Sequence, residues 1–313
     1  MQVFFTGVGG IDLGFSEFCD TIYANENDAN AVITFKENFK IDVDFRDIRD
    51  VLPNEIPDFD VVLAGFPCQA FLVAGYREGF NDRKGRGNLF FELERILLIK
   101  KTKIIFLENV KNLETHDNGN TMETILSSLQ KLGYFVKYKV LNSMQYGNIP
   151  QNRERIYIVG FLDEELYNKF DFKAPINLET KLTDIIDRDV SDKYFYNSSK
   201  FKHFKELEKN VTNKDTIYQW RIKYVRENKS NVCPTLTANM GTGGHNVPII
   251  LTTKGIRKLT TTECFRFQGF PKSFKLLNIS DTHLYKQAGN SVSVPVIRRI
   301  AECIFNLFYI SRS

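Results

Sequence analysis

The sequence predicts an α/β protein, and three observations carry that expectation. Short apolar stretches that read as buried parallel strands recur over the first 160 residues, each ends in a polar or glycine-bearing turn, and helical patterns lie between them. The clearest strand is Val61–Ala64, which runs into Gly65, Phe66, Pro67, Cys68 and Gln69. In an open α/β sheet, ligands bind beyond the carboxyl ends of the strands, so this turn delivers Cys68 to where chemistry happens. A thiol there is a nucleophile if its surroundings favour the thiolate. Burial as an inert cysteine is the commoner fate of a free thiol.

The chain opens on a strand at 3–5 and a glycine loop, Thr6, Gly7, Val8, Gly9 and Gly10, before a helical pattern at 11–15. Such glycines let the backbone turn tightly and admit a ligand to the helix N-terminus. The second strand, 21–24, ends in Asn25, Glu26 and Asn27. An acidic residue at this place takes ribose hydroxyls. Arg46, Asp47 and Ile48 form a further turn, where Asp47 can accept from an exocyclic amine. Three consecutive strand ends of this kind predict an adenosine-bearing cofactor. Their spacing leaves NAD and S-adenosylmethionine both open.

Residues 70–88 are long, polar and glycine-punctuated, with Arg77, Arg83, Lys84 and Arg86 among them. Beside a catalytic tip, cations suit a lid over phosphates; a solvated surface loop is the plainer reading. Leu89 begins an amphipathic helix to 99. The strand 103–107 ends in Glu108 and Asn109. Desolvation at that depth would raise the Glu108 pKa, as needed to hydrogen-bond a pyrimidine N3; helix capping is the alternative. A helix at 122–132 and a strand at 134–141 follow. Gln151, Asn152, Arg153, Glu154 and Arg155 lead into the strand 156–161. Residues two apart in an extended segment share a face, so Arg153 and Arg155 could together hold a base oxygen and orient Glu108, or form a surface ion pair.

From about 162 glycine nearly disappears and Lys and Asn rise, until a Gly/Thr/Asn-rich stretch at 233–246 that includes Thr242. Small hydrogen-bonding side chains of this kind suit a phosphate backbone or base edges. Upstream, Gln219, Arg221, Lys223 and Arg226 alternate with Tyr218, Trp220 and Tyr224, a pattern shared by nucleic-acid surfaces and by strand cores. A helix at 260–267, capped by Thr260 or Thr261, stops at Gly269. Residues 287–292 lead into an apolar helix at 296–309.

Composition sets the limits. The 313 residues are 42% hydrophobic and 26% charged, ordinary for a globular protein, and the net charge of +4 is compatible with a polyanionic partner. Cys19, Cys68, Cys233, Cys264 and Cys303 are scattered, odd in number and without a CxxC pair, which argues against a disulfide framework or a metal site. With no signal peptide and no run of 18 apolar residues, the expected location is the cytoplasm, with no membrane association.

Taken together, Phe-Thr-Gly-Val-Gly-Gly at 5–10, Asn-Glu-Asn-Asp at 25–28, Arg-Asp-Ile at 46–48, Gly-Phe-Pro-Cys-Gln at 65–69, Glu-Asn-Val at 108–110, Gln-Asn-Arg-Glu-Arg at 151–155, the run 257–271 and Gly-Asn-Ser-Val at 289–292 resemble the cytosine-5 DNA methyltransferases of bacterial restriction-modification type, in the order that family has them. The resemblance implies an S-adenosylmethionine-dependent methyltransferase with a Rossmann-like α/β sheet, at 1–178 plus 284–313. A smaller, mostly irregular or β target-recognition domain is implied at 179–283. It implies Cys68 as nucleophile, Glu108 at N3 and the amine, and Arg153 and Arg155 assisting at the base. Phe5, Gly7, Val8, Gly9, Gly10, Glu26, Asn27, Asp47, Ile48, Pro67, Leu89, Asn290, Ser291 and Val292 would line the cofactor. Gln69, Arg77, Arg83, Arg86 and Thr242 would meet DNA, and no metal is implied. The partners it implies are double-stranded DNA and, without need of a complex, a cognate restriction endonuclease acting on the same site; the expected state of the chain is a monomer. The sequence departs from the family at Leu72, where a hydroxyl is usual, at Asn27, often a large apolar residue, and at Thr6, usually Ala or Ser. An RNA (tRNA) cytosine-5 methyltransferase and a low-activity DNA-binding relative remain the alternative readings.

Overall fold

The computed structural model describes residues 1–66, 89–228, 231–242 and 246–310. Pro67, Cys68, Gln69, Leu72, Arg77, Arg83 and Arg86 therefore lie outside the described residues. In chain order the elements are β1 (Gln2–Phe4), α1 (Gly10–Phe15), β2 (Tyr23–Asn25), α2 (Ala29–Asn38), β3 (Val43–Asp44), β4 (Val61–Ala64), α3 (Leu89–Lys100), β5 (Ile104–Val110), α4 (Asn120–Lys131), β6 (Phe135–Asn142), α5 (Ser143–Tyr146), β7 (Gln151–Asn152) and β8 (Glu154–Phe161). They continue with α6 (Glu164–Lys169), α7 (Leu182–Ile185), α8 (Phe204–Asn210), β9 (Ile217–Trp220), β10 (Val225–Asn228), β11 (Cys233–Pro234), β12 (Ile249–Thr252), β13 (Gly255–Lys258), α9 (Thr261–Arg266), α10 (Asp281–Asn290) and α11 (Val294–Ile310). The chain divides into two compact units. One is Met1–Leu141, Glu154–Lys173 and Ile297–Ser313; the other is Asn142–Arg153 and Ala174–Val296.

The first unit is the expected α/β sheet, seven-stranded in the order β3-β2-β1-β4-β5-β8-β6. Strands β1 to β5 pair in parallel and β8 runs antiparallel to β5. Both faces of the central strands are covered, so β1 and β4 are buried at every residue, as their unbroken apolar runs require. Phe4, Val62, Ala64, Ile105 and Leu107 join Phe90, Leu93 and Leu97 of α3 and Ile125 and Leu129 of α4 in one core. Helix α2, which the sequence reading missed, is capped by Asp28, whose carboxylate accepts from the backbone N–H of Asn30 and Ala31.

The second unit carries a four-stranded sheet, β10-β9-β12-β13, over a small core of Leu207, Val211, Tyr218, Trp220, Ile249 and Ile256. Its limits fall at other positions than 179–283: it takes in 142–153, starts at 174 and runs to 296. The reason is packing. Gly289 of α10 lies so close to the backbone of Thr237 and Ala238 that a Cβ there would sit 2.1 Å from the Thr237 carbonyl carbon. Residues 281–290 are therefore a helix docked on 238–241, where the sequence offered only a lead-in to α11.

A buried ion pair holds the join between β13 and α9. Arg257 and Glu263 are 1% and 0% exposed. The arginine forks onto the carboxylate at 2.8 and 2.7 Å. The same carboxylate accepts from the backbone N–H of Thr260 and of Asp187, both at 2.7 Å, and the Thr260 hydroxyl caps Glu263 in return. Arg257→Met leaves that carboxylate buried without its counter-charge and should lower stability by about 3–5 kcal/mol, much of it recovered by adding Glu263→Leu. Chemical unfolding of both variants checks this; an equal loss in the two would locate the stability in the backbone bonds instead.

Candidate active site

The ladder register brings the strand ends level. Phe4 pairs with Asn25 and with Ala64, and Ala64 with Leu107, so Phe5, Glu26, Gly65 and Glu108 follow at one edge of the sheet. The loop after β1 is built on unusual backbone. Phe5 (φ 55°), Gly7 (φ 57°) and Gly9 (φ 85°) are all left-handed, a conformation that is strained for phenylalanine. At Gly9 even the space is closed, since a Cβ would lie 2.2 Å from the Phe39 ring. Val8, Gly9 and Gly10 are buried, and Gly10 opens α1.

Glu26 closes this loop from the next strand. Its carboxylate accepts the Gly7 N–H at 2.8 Å and those of Asn27 and Asp28 at 2.9 Å each. Burial raises its pKa, against the lowering effect of these backbone donors. Asp47 is engaged differently: Arg49 donates to it from Nε at 2.8 Å, Nη2 at 2.6 Å and its backbone N–H at 3.0 Å. That pairing, with a lesser bond from the Asn27 side chain, lowers the Asp47 pKa. Asn27 is exposed, Ile48 is buried, and Leu89 is half-buried at the start of α3.

Glu108 is 8% exposed, and its Oε2 lies 3.6 Å from where a Cβ on Gly65 would stand. Arg155 Nε sits 3.2 Å from its Oε1. The antiparallel register explains the meeting: Glu108 pairs with Tyr157 and Val110 with Arg155, so Glu108 and Arg155 are diagonal neighbours on one face. Asn109, which the sequence reading quoted without a role, donates from Nδ2 to the Phe66 carbonyl at 2.8 Å and so fixes the exit of β4. Arg153 belongs to the second unit. It is 2% exposed, at the break between β7 and β8, and donates to the carbonyls of Leu236 (2.7 Å), Gly289 (3.3 Å) and Ser291. In that unit Asn290 is exposed at the end of α10, and Ser291 and Val292 are buried just beyond it. Thr242 is also exposed and bonds back to the Asn239 carbonyl at 2.9 Å.

A second residue that the sequence reading passed over is Asp12 in α1. It is 1% exposed and accepts the hydroxyls of Thr6 at 2.7 Å and Thr21 at 3.0 Å. Thr6 thus ties the glycine loop to the first helix. The signal was faint, because an acid in a first helical turn is normally a surface feature. Burial pushes the Asp12 carboxyl up to about 6, against the lowering effect of the two threonines. A carboxyl raised in the folded state binds its proton more tightly there. Its contribution is therefore greatest at low pH and is lost as pH rises from about 4 to 6. Asp12→Asn should remove a fall of about 2 kcal/mol between pH 4.5 and 7.5. Unfolding free energies of both proteins at pH 4.5 and 7.5 measure it, and parallel pH profiles would refute it.

The described cysteines Cys19, Cys233, Cys264 and Cys303 are free, and no group of three or more metal-ligating side chains occurs among the described residues. No described helix is long and apolar enough to cross a membrane.

Comparison with known proteins agrees with this architecture. The family model for C-5 cytosine-specific DNA methylases matches residues 3–306. The chain is 57% identical over 305 residues to the Type II methyltransferase M.Bsp6I of Bacillus sp. (strain RFL6), covering 96% of each. It is 44% identical to M.HaeII of Haemophilus aegyptius, covering 96% of this chain and 91% of the other. In fold it is similar to a mutant of DNMT2 from Spodoptera frugiperda, with a TM-score of 0.74 at 22% identity over 97% of this chain and 99% of that one. With a family match that spans nearly all of its length, this chain belongs to the C-5 cytosine-specific DNA methylases.

Proposed function

We propose that this enzyme transfers a methyl group from S-adenosylmethionine to C5 of a cytosine flipped out of double-stranded DNA, protecting a short site from a cognate restriction endonuclease. The observation that carries the reading is Glu108: a buried carboxyl group, oriented by Arg155, beside Gly65, the residue that precedes Cys68 by three in the sequence. The residues present fit the cofactor. The space beside Gly7 is open, and Glu26 Oε2, which takes one backbone N–H where Oε1 takes two, keeps acceptor capacity for a ribose hydroxyl. When bound, S-adenosylmethionine supplies an electrophilic methyl group on a sulfonium.

What the chain supplies is a nucleophilic C5. Cytosine C5 is too electron-poor to react unaided. Addition of the Cys68 thiolate at C6, with a protonated Glu108 carboxyl giving its proton to N3 and accepting from the exocyclic amine, makes an enamine carbon of C5. Once C5 is methylated, a solvent base takes its proton, the C6–S bond breaks to release the Cys68 thiolate, and N3 returns its proton to Glu108. Extrusion of the base is required because C5 and C6 are inaccessible within the stack. Burial raises the pKa of all four other thiols, to about 11 for Cys19 and well up for Cys233 and Cys264, so none of them offers a thiolate. Arg153, by holding the loops at Leu236, Gly289 and Ser291, keeps the second unit in the shape that reads the target.

Cys68→Ser should abolish labelled methyl incorporation into bacterial genomic DNA without loss of S-adenosylmethionine binding, because a serine alkoxide is far harder to form. More than trace incorporation by that variant refutes the nucleophile, and incorporation into tRNA alone moves the substrate to RNA. Glu26→Ala should weaken S-adenosylmethionine binding by about 1–3 kcal/mol in calorimetry. Unchanged affinity would assign the ribose to another residue.

A further inference from the structure

Helix α3 buries Phe90, Leu93, Ile96 and Leu97 in the core of the first unit, and such a helix turns polar residues to solvent on its other face. Here that face is apolar. Phe91 is 42% exposed, Leu98 60% and Ile99 60%. Phe91 and Leu98 are seven residues apart, so they stand on one line two turns apart, with Ile99 beside them. Arg95 lies between them but is drawn aside. Its Nη2 donates to the carbonyls of Ile48 at 3.1 Å and Val51 at 2.9 Å, and its Nε to Glu92 at 2.8 Å. Leu52, next to the Val51 that Arg95 holds, is exposed as well.

Single exposed hydrophobic residues are ordinary, whereas an aligned set marks a surface that is covered in use. The charges beside the stripe say by what. Glu92 and Glu94 lie in the first half of α3, and Lys100, Lys101 and Lys103 at its end. A nucleic acid or an anionic lipid surface calls for cations along the whole stripe, which the acids oppose. A second α3 laid antiparallel across a two-fold axis suits it. Phe91 of each copy then meets Leu98 and Ile99 of the other, and each acidic half faces a basic end. Lys100 and Lys103 already hold Asp58 and Asp60, at 2.8 and 2.7 Å. Lys101 is exposed, has no ion pair among the described residues, and is left to face Glu92 of the second copy. A parallel pairing would set acid on acid.

We propose that α3 is the interface of a weak two-fold homodimer, in which the stripe of Phe91, Leu98 and Ile99 packs antiparallel on the same stripe of a second copy. This dimer replaces the monomer that the family resemblance implies, and it is independent of the reaction. The 12 residues of the helix rise only about 18 Å, so the contact falls below the roughly 800 Å² per partner of a standard interface. Association is therefore weak, with a dissociation constant on the order of 50 μM.

Sedimentation velocity of the full chain between about 1 and about 200 μM should show the mean mass climbing from one chain toward two. Leu98→Glu and, separately, Ile99→Lys should weaken pairing about tenfold or more with Tm unchanged, because both side chains face solvent in the single chain. Lys101→Glu and Glu92→Lys should each weaken pairing about threefold, whereas an equal mixture of the two variants should pair as the wild type does. A mean mass of one chain throughout the range overturns the proposal, and so does undiminished pairing by Leu98→Glu and Ile99→Lys. A Tm that falls together with pairing overturns it too, since the side chains would then be structural. A mixture that pairs no better than its components overturns the antiparallel arrangement.

Discussion

The level carboxyl ends of four parallel strands are the constraint on which the first unit depends. Parallel pairing leaves no freedom to slide one strand end past the next without moving its whole side-chain set to the opposite face. With Phe4, Asn25, Ala64 and Leu107 in register, the next residue on each strand arrives at a common edge. That edge holds the left-handed loop at Phe5, the carboxylate of Glu26, Gly65, and Glu108. Antiparallel β8 adds Arg155 by the same logic, from a strand that pairs with β5 over its full length. Each polar group is then secured locally: Glu26 by three backbone donors, Glu108 by Arg155, and the exit of β4 by Asn109.

The second unit joins its buried apolar residues with buried polar contacts, and several of its loops meet through arginines and amides. Arg153 gathers three carbonyls, and Arg257 and Glu263 bind β13 to α9 and to the segment at Asp187. Such groups are costly to bury unless every donor and acceptor is met, and for that reason they fix one arrangement of loops where hydrophobic contacts would accept several.

Much of the first unit was legible because its strands are continuous apolar runs and its chemistry sits in the residues that end them. Strand ends at Gly65, Glu26 and Glu108 could be read directly. Three things could not. Asp12 looks like any acid in an exposed first turn until Thr6 and Thr21 are folded over it. Arg153 and Arg155 share a face only in an unbroken strand, and the break between β7 and β8 falls on Arg153, so the two arginines acquire different partners. In the second unit, short strands pair across long separations, as Tyr218 with Ile249, and no local pattern announces such pairing. The alternation of aromatics at 218–224 was ambiguous for a good reason: Tyr218 and Trp220 are core, and Tyr224 is surface.

The path of residues 142–153 through the second unit has a consequence for which parts of such a protein can be exchanged. This segment is separated in sequence from the rest of that unit, yet β7 pairs with β11, Gln151 bonds to Gln268, and Arg153 reaches Leu236 and Gly289. The unit is therefore not a cassette. Transplanting 174–296 alone from a relative would set a foreign set of loops against these fixed amides and guanidinium groups, and a mismatch would leave buried donors unmet. Exchange between relatives must carry both pieces together, or confine itself to places the clamp does not touch. The hairpin between Trp220 and Val225 is one such place, free to vary at its tip while its frame stays put.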